Sequence, residues 1–313
     1  MFLKLRDLSS VRAEVAAASD FGIPGTKRIG SPRARDIYVI SALVYEGEVE
    51  ALAAFAKLLR DPPTLRDNVQ IALVTARPEL REETNNLNRL SEGWGKHNWE
   101  RDRAEEISQA FSRVPIKAML DLQTNPQPLD ESGWAVVVRS GTSMAPNVVP
   151  CSLLIEGLTD QQDEATGTQP FGTLFPCPAV EVLTWPGRKG QNASVETALS
   201  WLAAYGCFPS TKTVKERVIV QKVVRTIGYI KTPDPTLAYE LNYDLTPLAR
   251  VSEGDMIGVS EDDKTEIIAN MDGMLILTPP SGIVRAGSTD PVGYIVEVCD
   301  DETVDVMSVA EDE

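Results

Sequence analysis

The stretch DIYVISALVYEGEVEALAAFAKLLRD, residues 36–61, reads as an apolar strand that stops near Tyr45 and turns at once into an amphipathic helix. Val49, Leu52, Phe55, Leu58 and Leu59 recur at helical spacing over 48–60 and make one stripe for a core. A strand so apolar along its whole length has to be covered on both faces, which is the mark of a largely parallel sheet. At the turn, Glu46 and Glu48 flank Gly47. Acids at the start of a helix complement its dipole. In an α/β protein the carboxyl end of a strand is also where sites are built. Glu48 therefore admits two readings, a helix-start acid or a polar group in a cleft.

The same alternation continues outward. NVQIALVTA (68–76) and IKAMLDLQT (116–124) are strands, with a polar loop at 77–98 and a surface helix over WERDRAEEISQAFSRV (99–114) between them. WAVVVRS (134–140), SLLIEGL (152–158) and AVEVLTW (179–185) are further strands, and a helix is expected at 194–206. The fold class is α/β, a mostly parallel mixed sheet flanked by helices. Beyond FPSTKTV (208–214) the pattern changes to short β runs separated by Gly, Pro and Asp turns, as in GDMIGVSE (254–261) and DPVGYIVEVC (290–299). That is the pattern of a small all-β sandwich or barrel. The expected division is an α/β domain at 1–210, a β domain at 211–299 and an acidic tail at 300–313. The tail, DDETVDVMSVAEDE, carries acids and no base, and is expected to be solvated and partly disordered.

Composition excludes several function classes. The 313 residues carry a formal net charge of −16, which argues against nucleic acid, since phosphate binding needs clustered Lys and Arg. Hydrophobic residues are 42% and no run approaches the roughly 20 apolar residues of a membrane span. The N-terminus is too charged for a secretory signal. Cys151, Cys177, Cys207 and Cys299 are widely spaced, so neither a zinc knuckle nor a disulfide framework is indicated, and a reduced cytoplasmic protein is the expectation. The cysteines read as core residues, although Cys177 is close enough in sequence to Glu181 to face a cleft. There is a single histidine, His97, within the loop GWGKHNWERD (93–102). Any mechanism that needs two imidazoles from one chain is excluded.

Four segments, YEGE (45–48), ARPELREETNNLNR (76–89), DLQT (121–124) and VEV (180–182), occur in an order that resembles the succinylglutamate desuccinylase/aspartoacylase family, zinc-dependent amide hydrolases of carboxypeptidase A-like fold. The NNLNRL run (85–90) and DGMLILTPPSGIVRAGSTDPVGYIVEV (272–298) extend the resemblance to residues 36–298. It implies a strand-end His and Glu on zinc, a second zinc His two residues after an Asp, a loop that holds the substrate carboxylate, and a late Glu that activates the metal-bound water. Carried onto this chain, it leaves Glu48 as the one retained metal position. Tyr45 and Gln123 occupy the positions of the missing histidines. Arg81, Asn88 and Arg89 match the carboxylate clamp, and Glu181 matches the general base. Ala76 and Arg77 replace the Asn-Pro that begins the family's loop.

Tyrosine, with a pKa near 10, is a poor ligand at neutral pH, and a glutamine carbonyl suits harder cations than zinc. The cofactor expectation is therefore none, with zinc or another divalent cation held only weakly. A second option places a cation on Glu48, Asp121 and water. The expected partner is a small carboxylate-bearing ligand, and the resemblance implies a homo-oligomer. Three functions remain open: a divergent N-acyl amino acid deacylase scaffold, a non-catalytic binding protein or pseudoenzyme, and an enzyme of altered or metal-free chemistry. For the residues taken alone, Glu181 also reads as half of a structural ion pair, Arg81 and Arg89 as surface arginines, and Asn88 as a turn former.

Overall fold

The computed structural model describes residues 4–42, 50–75, 109, 111–124, 136–139, 149–158, 161, 177–209, 214–242, 244–277, 282–288, 291–299 and 302–309. The first elements are α1 (Leu5–Ala17), β1 (Thr26–Gly30), β2 (Asp36–Ala42), α2 (Leu52–Arg60), β3 (Val69–Thr75) and β4 (Ile116–Thr124). They are followed by β5 (Val136–Arg139), β6 (Leu153–Glu156), β7 (Ala179–Thr184) and α3 (Arg188–Ala204). The order of the main sheet begins β1-β3-β2-β4-β7-β5-β6. Strand β2 pairs in parallel with β3 and β4, and β4 with β7, while β1 and β5 run antiparallel to their neighbours β3 and β7.

The apolar runs are apolar because both faces of these strands are covered. All seven residues of β3 are buried, and six of seven in β2. On one face, Tyr38, Ile40, Ile71, Leu73, Leu120, Leu122 and Val182 pack in one core with Leu8 and Val11 of α1, Leu52, Phe55 and Leu58 of α2, and Trp201 and Leu202 of α3. Burying one such side chain fully is worth about 1.5–3 kcal/mol. Within that core, Trp201 meets Tyr38 edge-on at 5.9 Å and Tyr205 at 5.2 Å between ring centroids. On the other face Ile37, Val39, Ala72, Val74 and Met119 pack with Ile23 and Phe111.

Helix α3 begins at Arg188, six residues before the expected start, because two glycines in its approach act as helix residues rather than as loop. Gly187 is its N-cap with φ +92°. Gly190 lies inside the first turn, where a Cβ would sit 1.6 Å from the Trp185 carbonyl oxygen. Only a residue without a side chain lets this helix press against the exit of β7. Helix α1 was not expected. Of the expected surface helix at 99–114, residues 109 and 111–114 are described, and Phe111 is buried against Phe21, with ring centroids 5.8 Å apart.

From Val214 onward the described elements are strands: β8 (Val214–Ile230), β9 (Tyr239–Leu241), β10 (Ala249–Val251), β11 (Met256–Ser260), β12 (Glu266–Ile268), β13 (Gly273–Leu277), β14 (Ile283–Val284), β15 (Gly293–Val298) and β16 (Glu302–Val309). The main sheet continues from β6 through β8, β15 and β13 to β10, and a second sheet has the order β12-β11-β9-β14. Residues 302–309, expected within a solvated tail, instead form β16, paired with β8 from Glu302↔Gln221 to Val309↔Val214. The acids there are interleaved with Val304, Val306, Met307 and Val309, and that β-branched, apolar spacing outweighs the charge. No described helix is long and apolar enough to cross a membrane.

Candidate functional site

The carboxyl ends of β2, β4 and β7 lie side by side, and their register sets one polar row across the sheet. Ser41 is opposite Asp121, and Asp121 is opposite Glu181. Residues in register on parallel neighbours point to the same face, and strand alternation puts this row on the face of Val39 and Met119, opposite the face covered by α1, α2 and α3. Gln123, two residues further along β4, shares that face and is opposite Leu183.

Asp121 is the centre of the row. It is buried, and both carboxylate oxygens accept hydrogen bonds: Oδ1 from the Ser41 hydroxyl, Oδ2 from Gln123 Nε2 at 3.1 Å. Burial disfavours the charged form and pushes the carboxyl from 3.8 up to about 6, while the two hydrogen bonds pull in the opposite direction and lose. Glu181 and Gln123 are half-buried.

On the opposite face, short polar contacts hold the strand ends and helix starts together. The Thr184 hydroxyl donates to the Gln123 carbonyl at 2.9 Å, and the Thr75 hydroxyl to the Ala42 carbonyl at 3.0 Å. The Ala51 amide, at the start of α2, donates to Thr124 Oγ1 at 3.4 Å. Glu50 Oε1 accepts from the Gly187 amide at 3.1 Å, so an acid ahead of α2 satisfies the N-cap of α3. Its position also complements the α3 dipole.

Of the residues expected at a site, the structure brings Gln123, Asp121 and Glu181 together on one face. Tyr45, Glu48, Arg81, Asn88, Arg89 and His97 lie outside the described residues. Cys177 packs against the cluster that contains Phe111 and Met119, and burial pushes its thiol up to about 11, so it is not a thiolate at neutral pH. Ser41 and Glu50 went unnoticed in the sequence. The signal for Ser41 was present, a lone hydroxyl in the apolar run VISAL, which requires a partner when buried. Glu50 had no such signal, because its partner Gly187 is far away along the chain.

The architecture matches solved structures over nearly the whole chain. The ectoine utilization protein EutE (DoeB) from Ruegeria pomeroyi, in its apo form, aligns with a TM-score of 0.57 at 14% identity, covering 87% of this chain and 89% of its own. A succinylglutamate desuccinylase/aspartoacylase from Rhodobacter sphaeroides gives 0.56 at 14% identity, over 88% and 89%. This is the succinylglutamate desuccinylase/aspartoacylase fold. Murine aminoacylase 3 aligns on it as well, with a TM-score of 0.55 at 12% identity over 90% of this chain and 100% of its own. No family model matches the sequence, and no curated protein matches it. The likeness to the desuccinylase/aspartoacylase structures is thus one of mixed α/β fold, held at an identity where side chains at the site are free to differ.

Proposed function

We propose that this chain is a divergent member of the desuccinylase/aspartoacylase group: an amide-hydrolase scaffold that has lost its zinc imidazoles and keeps a cleft for a small carboxylate-bearing ligand. The finer arrangement in this reading is carboxypeptidase-like, with an all-β domain from residue 211. The observation that carries it is the state of Gln123. It stands at the position matched to a zinc histidine, and its amide nitrogen is committed to Asp121.

The donor set does not fit a zinc centre of the hydrolase type. Such a centre takes three protein ligands and leaves one position for water. Gln123 offers a neutral carbonyl, Tyr45 a phenol that is protonated at neutral pH, and Glu48 alone a charge. The chain has one histidine for all purposes. In this reading Arg81, Asn88 and Arg89 grip the ligand carboxylate, Arg through two charge-assisted hydrogen bonds, and Glu181 is the residue positioned to take a proton.

Two measurements test it. N-acetyl-L-aspartate or a simple dicarboxylate should raise the melting temperature. Ligand at about 100 times its dissociation constant is worth about 2.7 kcal/mol. Arg89→Ala should abolish the shift. Metal analysis of protein purified without chelator should return far less than one transition metal per chain. A stoichiometric metal lost on replacing Gln123 would refute the reading, as would the absence of a shift with every carboxylate tried.

A further inference from the structure

We propose that Gln123 is the residue that distinguishes an amide from an ester in the ligand, by presenting its side-chain oxygen as a fixed acceptor for a ligand N–H. The proposal rests on the carboxylate-binding reading above and adds which bond the ligand must contain.

The orientation follows from the chain Ser41–Asp121–Gln123. Both oxygens of the Asp121 carboxylate act as acceptors here. The Ser41 hydroxyl takes Oδ1, and whatever faces Oδ2 has to be a donor. Gln123 must therefore turn its NH2 inward, and the planar amide then directs Oε1 away from Asp121. A Gln at a strand end would ordinarily be free to flip, since both orientations find water. Here one orientation sets two acceptors against each other in a buried place and is excluded. The root of the side chain is fixed too, because the Gln123 carbonyl accepts from the Thr184 hydroxyl at 2.9 Å and pins β4 to β7.

Among the described residues Oε1 of Gln123 accepts no hydrogen bond, and the side chain is half-buried at the carboxyl end of β4. A ligand amide N–H completes this group. A ligand ester places an oxygen lone pair against it. Sites built around one hydrogen bond discriminate in this asymmetric way, because the wrong ligand leaves a polar group unpaired. Asp121 is a positioning residue in this arrangement, and Gln123 is the residue that touches the ligand.

The test compares N-acetyl-L-aspartate with O-acetyl-L-malate, its isostere with an ester oxygen in place of N–H, by calorimetric titration of the full chain. The wild type should bind the amide about tenfold more tightly. Gln123→Met, similar in shape but without the acceptor, should bring the two constants within about twofold, chiefly by weakening the amide. Asp121→Asn permits both orientations of the Gln123 amide and should lower the ratio at least about threefold. Equal binding of both probes by the wild type, with both removed by Arg89→Ala, overturns this inference and leaves the carboxylate reading standing. A ratio that survives Gln123→Met overturns it as well, and an unchanged ratio in Asp121→Asn overturns the positioning role. Binding of neither probe overturns both readings.

Discussion

Replacing Asp121 with Asn should make the protein more stable at neutral pH, and the gain should fade on acidification. The folded state holds the Asp121 proton more tightly than the unfolded chain does, with its carboxyl at about 6 against 3.8. A group raised in this way contributes stability that is fully present below the unfolded value and is lost as pH climbs to the folded value. The difference of roughly two pH units corresponds to about 3 kcal/mol lost by the wild type between low pH and neutrality, and roughly half of that falls between about pH 5 and about pH 7.5. Asn keeps the shape of the side chain, can still bond to Ser41 and to a Gln123 amide free to turn, and does not titrate. The assay is urea unfolding of both proteins at those two pH values, comparing midpoints at equal slope. The quantity to read is the change in their difference, because the many exposed carboxylates of an acidic chain cancel between the two proteins. A wild-type-minus-variant gap that is flat over this range would show that Asp121 is not buried in the way described.

The helix starts give two further predictions. Gly190→Ala would force a Cβ to 1.6 Å from the Trp185 carbonyl oxygen, a backbone atom that has nowhere to go, and should cost about 3 kcal/mol or abolish soluble expression. Thermal denaturation of the variant beside Gly254→Ala, where a Cβ meets nothing and only the positive φ is penalised, separates crowding from backbone strain. Glu50→Ala removes the acceptor of the Gly187 amide and should cost about 1 kcal/mol, with much smaller loss in Glu50→Gln, read by the same denaturation. Trp201→Ala should cost about 3–5 kcal/mol by emptying the aromatic cluster with Tyr38 and Tyr205.

How much of this could be read from the sequence depended on whether the cause was local. The central strands were legible because two covered faces demand uninterrupted apolar residues, and the strand over 116–124 came out at its observed limits. Gln123, Asp121 and Glu181 could be singled out as polar residues in such runs. Their alignment on one face could not, since it is set by the register between β4 and β7. The start of α3 was misplaced because Gly187 and Gly190 look like a loop, and the carbonyl that requires Gly190 belongs to Trp185 at the exit of β7. The strand β16 was hidden by counting charge where alternation was the better signal. Ser41 was a visible anomaly whose partner lay 80 residues away.

The length of β8 has a mechanical consequence. One backbone of 17 residues is laced to β16 along its first half, to β6 at its middle and to β15 toward its end. Strain entering at β15 or β13 reaches β6 through amide rungs, with no slack connecting loop in between. A single stiff girder of this kind makes fraying on one side audible on the other, so β6, β15 and β16 cannot part from it without opening a ladder.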